Sequence, residues 1–171
     1  MLILSNFKKN LSTMHANAQL LQTFYQAFQN KDYATMQACY ADTATFSDPV
    51  FQNLNTAEVR AMWEMLIRRG KDLELTFSNI QADDRQGSAE WEARYTFSAT
   101  GRHVVNRIRS EFAFENGKIV QQTDRFSFYR WARQALGLPG LLLGWTGMIR
   151  GKVQGTARQS LAKFMAESSG A

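Results

Sequence analysis

An α+β fold is predicted by three features of the 171-residue chain. Apolar residues recur with a period of 3.6 up to Gly70 and with a period of 2 from there to about Tyr129, which is the change from helices to strands. Asn55 with Glu58 three places on has the spacing of a helix capping box. Asn116-Gly117, between two alternating runs, is a two-residue hairpin signal.

The elements follow in order. Leu20, Leu21, Phe24, Tyr25 and Phe28 place an amphipathic helix over roughly 13–30. Asp32 caps a shorter helix carrying Tyr33, Met36 and Tyr40. A short extended piece runs from Thr45 to Asp48. Asn55 then opens a third helix with Val59, Met62, Trp63, Leu66 and Ile67 on one face, stopped near Gly70. Four alternating runs follow, at 73–82, 90–99, 103–115 and 117–129. They form an antiparallel meander with one apolar face, and the three helices must cover part of it. After Tyr129 the chain reads as a short helix, a Gly- and Pro-containing apolar turn and a longer helix from about Met148. Ile149, Val153, Ala157, Leu161 and Phe164 give that last helix one apolar stripe, a lid over the sheet or a face for a partner. The glycines of the tail, Gly137, Gly140, Gly144, Gly147, Gly151 and Gly155, suit a mobile lid better than a rigid anchor.

Composition bounds the function. Apolar residues make up 44% of the chain, with twelve Phe and four Trp, so it folds around a core. Cys39 is the only cysteine and His15 and His103 the only histidines, so neither a disulfide nor a zinc site is expected. The opening MLILSNFKKN turns polar too soon for a signal peptide, and residues 1–13 carry little pattern. A cytoplasmic protein is the expectation. The net charge of +5 is uneven: from Arg125 onward seven basic residues face one acid, Glu167, for +6. LPGLLLGW is far short of the ~20 residues that span a bilayer.

YADTATFSDP, residues 40–49, resembles a segment of the ketosteroid isomerases in which the aspartate before the proline is the general base. GKIVQQTD, residues 117–124, resembles the last core strand of SnoaL-like polyketide cyclases. With the order of elements, these identify the chain as similar to the nuclear transport factor 2-like superfamily over 13–129, with 130–171 a C-terminal helical extension of the same domain. The resemblance implies a cone-shaped curved antiparallel sheet covered by three N-terminal helices. It implies dimerisation through the convex side of the sheet. It puts the base at Asp48 and a second acid at Asp124. The isomerases' oxyanion tyrosine falls at Phe24, which has no hydroxyl, with Tyr25 turned about 100° away on a helix. Their second oxyanion donor falls at Ser110. A histidine common in the cyclases falls at Gln122.

The resemblance to the isomerases puts Ser110 inside, and strand parity extends this to the lining of the cone. Trp91, Ala93, Tyr95 and Phe97 share one face; Val104, Asn106, Ile108, Ser110, Phe112 and Phe114 share the next; Val120, Gln122, Asp124, Phe126 and Phe128 the last. Arg107, Arg109 and Glu111 face out. The catalytic candidates are Asp48 and Asp124. The binding candidates are Phe24, Trp63, Trp91, Tyr95, Asn106, Ser110, Phe112, Gln122 and Phe126. Two carboxylates in an apolar cavity raise each other's pKa and split into an acid and a base. The expected activity is acid–base catalysis of the cyclase, isomerase or hydratase type on a small hydrophobic molecule, without metal or cofactor.

Blander readings stand beside this. Asp48 before Pro49 is also turn chemistry. Asp124 can be a structural acid, and the aromatic stripe can be core. The alternatives are a non-catalytic module that binds a ligand or a protein, and, less favoured, a membrane-surface protein acting through its basic apolar tail. Nucleic-acid binding is not expected.

Overall fold

The computed structural model describes residues 14–169, so the opening stretch 1–13 and its expected lack of pattern lie outside the described residues. Three helices come first: α1 (Ala16–Gln29), α2 (Tyr33–Ala38) and, after strand β1 (Tyr40–Ser47), α3 (Thr56–Arg69). Strands β2 (Glu74–Ala82), β3 (Gln86–Phe97), β4 (Arg102–Glu115) and β5 (Lys118–Arg125) follow, then helices α4 (Phe128–Leu136), α5 (Leu138–Leu143) and α6 (Gly147–Ser169).

Local chemistry sets these boundaries. The capping box at α3 is complete: the Glu58 amide donates to Asn55 Oδ1 and the Asn55 amide to Glu58 Oε2. Asp32 accepts from the Thr35 amide and opens α2. The β4–β5 turn has Asn116 at φ 50° and Gly117 at φ 71°, the two left-handed residues of a type I′ hairpin.

The sheet order is β1-β5-β4-β3-β2. Four strands are antiparallel neighbours, as the alternating runs predict; β1 joins the edge parallel to β5. Some boundaries and one register differ from the expectation. β1 begins at Tyr40 rather than Thr45, so Tyr40 belongs to the sheet and not to the second helix. β5 ends at Arg125, because the Ser127 hydroxyl accepts from the Arg130 amide and starts α4, so Phe126 follows the strand instead of lying in it. A bulge at Ala113–Phe114 shifts the pairing so that Ile119, not Val120, is buried. A second irregularity, between Ser78 and Gln81, contains Asn79 at φ 53°. Bulges bend a strand, and these two help curl the sheet.

Two apolar clusters fill the concave side. The larger packs Leu21, Phe24, Tyr25 and Phe28 of α1 and Val59, Met62 and Trp63 of α3 against Phe46, Ala89, Phe112 and Phe114. The smaller packs Phe128, Trp131, Ala132 and Ala135 of α4 on Val104, with Tyr95, Phe97 and Phe126 beside it. Val50 touches both. α6 spans the two, with Ile149 and Val153 on the smaller and Ala157, Leu161 and Phe164 on the larger. It is therefore a cover, held by Gln154 on the Pro49 carbonyl (3.0 Å), Arg158 on the Gln52 carbonyl (2.8 Å) and Arg69 on Ser160 (2.5 Å).

Candidate functional site

Asp124 lies on the inward row of β5, opposite Ser110 of β4. Only 4% of it is exposed. Its Oδ1 accepts from the Ser110 hydroxyl (2.6 Å) and from Gln122 Nε2 (2.9 Å). Ser110 Oγ in turn accepts from the Tyr25 hydroxyl (3.0 Å) and Trp91 Nε1 (2.9 Å). Gln122 Oε1 accepts from the Tyr40 hydroxyl, which accepts from Trp63 Nε1 (2.8 Å). Every donor in both branches points toward one carboxylate oxygen. Both hydrogen bonds to Asp124 fall on Oδ1, so a proton taken up by this group belongs on Oδ2.

The electrostatics follow from burial. Loss of water pushes the Asp124 carboxyl up to about 7, against the pull of the Ser110 and Gln122 hydrogen bonds and with a further push from the charge of Asp48. Burial also holds Tyr25 and Tyr40 well above the ordinary tyrosine value, so both remain donors. Among the described residues no buried side-chain nitrogen or oxygen lacks a hydrogen-bond partner.

Asp48 sits in the turn between β1 and α3. Its Oδ1 accepts from the Val50 (2.6 Å) and Phe51 (2.5 Å) amides. This is the Asx turn that Asp-Pro predicts. Desolvation nevertheless pushes the carboxyl up to about 6, opposed by those amides. Its charge raises both Asp124 and Tyr95, so turn chemistry and electrostatic contact with the inner carboxylate coexist.

The other predicted residues divide into three groups. Ser110 and Gln122 are in direct contact with Asp124, Trp91 stands one bond further out, and Trp63 two, through Tyr40. Phe24 and Phe112 are buried in ring contacts, Phe24 edge-on to Tyr25, Tyr40 and Trp63, and Phe112 edge-on to Tyr25. Tyr95, Asn106 and Phe126 belong to the other end of the sheet. There Tyr95 accepts from Trp131 Nε1 (2.9 Å), Phe126 packs by α4, and Asn106 is half-buried beside Ala93.

Two members of the network, Tyr25 and Tyr40, are not among the residues that the resemblance implies. Tyr25 is turned about 100° from Phe24 on α1, yet α1 lies over the sheet so that positions 24 and 25 are both fully buried. Tyr40 lies on β1 and not on the helix that the spacing predicts. The available signal was chemical: a tyrosine on a buried face needs a partner for its hydroxyl, and the inward rows offer Ser110, Gln122 and Asp124.

Two cavities border the sheet, the larger touching Phe112 and the smaller touching Gln122. A depression of about 620 Å³ is bordered by Gln86, Ser88, Glu111, Ala113, Gln121 and Thr123, which alternate with the inward residues and so mark the outer face. One of about 200 Å³ lies where β1 and β5 meet the loop at Asn53. Neither is lined by Asp48 or Asp124. Glu92 with Arg94 and Arg107, and Glu111 with Arg125, form the outward ion pairs. Among the described residues no three His, Cys, Asp or Glu side chains group as metal ligands.

A family model described as a SnoaL-like domain matches residues 21–122. No curated protein matches the chain. Solved structures match closely in shape at low identity. A nuclear transport factor 2-like protein of unknown function from Burkholderia pseudomallei aligns over 71% of this chain and 98% of its own, at 20% identity and a TM-score of 0.63. An LEH-like epoxide hydrolase from M. tuberculosis aligns over 75% of this chain and 96% of its own, at 20% identity and a TM-score of 0.60. A protein from Xanthomonas campestris pv. campestris, proposed to be a polyketide cyclase, aligns over 70% of this chain and 96% of its own, at 18% identity and a TM-score of 0.59. At these identities the likeness is one of fold.

Proposed function

The chain belongs to the SnoaL-like domain family, and we propose that it carries out acid–base chemistry on a small hydrophobic organic molecule, with Asp124 as the proton-transfer group. The observation that supports this is a buried carboxylate poised near 7 with all its donors on one oxygen. A base of that pKa is half-loaded at neutral pH and can take and return a proton. Ser110 and Gln122 fix its orientation, and Tyr25 and Tyr40 fix theirs. Asp48 is the second carboxylate, tuning Asp124 by its charge and holding the turn under α6. Epoxide hydrolysis and polyketide cyclisation, named for two of the solved structures, are likewise reactions of small organic molecules.

The test is hydrogen–deuterium exchange at carbon. Hydrophobic ketones are incubated with the protein in heavy water and followed by mass spectrometry. Exchange is expected with the wild type and lost in Asp124→Asn. Asp48→Asn keeps the turn's acceptor oxygen and loses the charge, so it folds and exchanges more slowly. Full turnover in both variants would end the proposal.

A second reading is favoured by the ring contacts of Phe24, Tyr25, Trp63, Trp91 and Phe112, which fill much of the concave side. On that reading the protein binds a ligand or partner without chemistry. Stoichiometric binding with no exchange and no product would select it.

A further inference from the structure

We propose that the segment from α5 to the start of α6 docks the protein on an anionic lipid bilayer. α5 is built the wrong way round for a helix of a folded domain. Its glycine side faces the protein and its leucine side faces water. A Cβ on Gly140 would lie 1.9 Å from the Ala132 carbonyl oxygen, and one on Gly144 would lie 3.0 Å from Ala132 Cβ. These glycines let α5 press against α4, which fixes the segment and gives them a packing role in place of the expected lid mobility. Tyr129 adds a hydrogen bond to the Leu141 carbonyl (3.2 Å).

The consequence is a fixed apolar projection. Leu138 is 72% exposed, Leu142 65%, Trp145 72% and Met148 71%, with Leu141 and Leu143 beside them at 42% each. Elsewhere among the described residues the most exposed large apolar side chain is Met14, at 38%. Contiguous apolar surface of this kind marks an interaction site.

Charge selects the occupant. Between Asp124 and Glu167 the sequence has no acid. Arg130, Arg133, Arg150 and Lys152 flank the projection, all exposed and none ion-paired among the described residues. Arg150 instead lies over the Phe128 ring at 5.2 Å. Exposed leucines and a tryptophan, flanked in the chain by cations without ion-pair partners among the described residues, match a bilayer interface: apolar groups reach the acyl boundary and cations meet anionic headgroups. No helix among the described residues is long and apolar enough to cross a membrane, so the contact is with one surface.

The test is flotation with phosphatidylcholine vesicles, with and without phosphatidylglycerol, at low and high salt. The wild type floats with the anionic vesicles and releases as salt rises. Brominated lipid quenches part of its tryptophan emission. The double variant Leu142→Ser/Trp145→Ser, changed only at exposed side chains, keeps its circular dichroism and stays at the bottom. Arg133→Gln/Lys152→Gln binds more weakly, by about fivefold per residue neutralised. Absence of flotation with anionic vesicles at low salt would overturn the proposal, and so would flotation of the leucine–tryptophan variant equal to wild type. Wild-type self-association in light scattering, abolished by that variant and without vesicle binding, would assign the projection to a second copy and also overturn it.

Discussion

Replacing Asp124 by Asn should stabilise the protein at high pH relative to low pH. The sign follows from proton binding. Between 3.8, the ordinary carboxyl value, and about 7, the folded protein holds a proton on Asp124 that the unfolded chain has released. Stability from this group is therefore full below pH 3.8 and is lost as pH rises through 7. Each pH unit of that gap is worth 1.36 kcal/mol, so the wild type loses ~4 kcal/mol between pH 4 and pH 8 through this carboxyl. Asn cannot ionise. Its Oδ1 still accepts from Ser110 and Gln122, but its amide brings N–H groups where Oδ2 stood, costing about 1–3 kcal/mol if they find no acceptor. That cost is the same at both pH values and cancels in the comparison. Urea unfolding of wild type and variant at pH 4 and pH 8 gives the double difference directly. A value near 4 kcal/mol supports the buried, near-neutral carboxyl. A value under ~1 kcal/mol would mean that Asp124 ionises like a surface acid, and the reasoning about the site would fail.

The network and the packing make three further predictions. Ser110→Ala removes a donor to Asp124 and the acceptor of Tyr25 and Trp91. It should cost about 1–3 kcal/mol for each donor left unpaired and push the Asp124 pKa higher still, measured by urea unfolding and by pH titration. Gly140→Ala drives a methyl into the Ala132 carbonyl and should cost at least about 1–3 kcal/mol in thermal unfolding. Gly151→Ala, where nothing lies within 4 Å of the new Cβ, should instead gain up to about 1 kcal/mol from helix propensity.

Much of the fold was legible because period and punctuation agree. The α3 capping box, the Asn116-Gly117 turn and the alternation from Glu74 to Glu115 each name their structure locally. What was not legible depends on contacts distant in sequence. The parallel seating of β1 beside β5 pairs Tyr40 with Ile119, and no local pattern carries that pairing. The inward positions of Ser110, Gln122 and Asp124 followed from the family resemblance together with parity, since every second residue faces the same way. Their partners Tyr25 and Tyr40 did not, because a hydroxyl reaching across 85 or 82 residues is set by how helices sit on the sheet. Asp48 was legible in one of its roles. The turn was written in Asp-Pro, while its influence on Asp124 needed the closed fold.

The central claim is that Asp124 changes its protonation near neutrality inside a closed hydrogen-bond network. Its carboxyl carbon can be followed by NMR across a pH titration, assigned by its disappearance in Asp124→Asn. A midpoint near 7 that moves down in Asp48→Asn, as the neighbouring charge is removed, is the predicted result. A midpoint below 5, unmoved by Asp48→Asn, would contradict it.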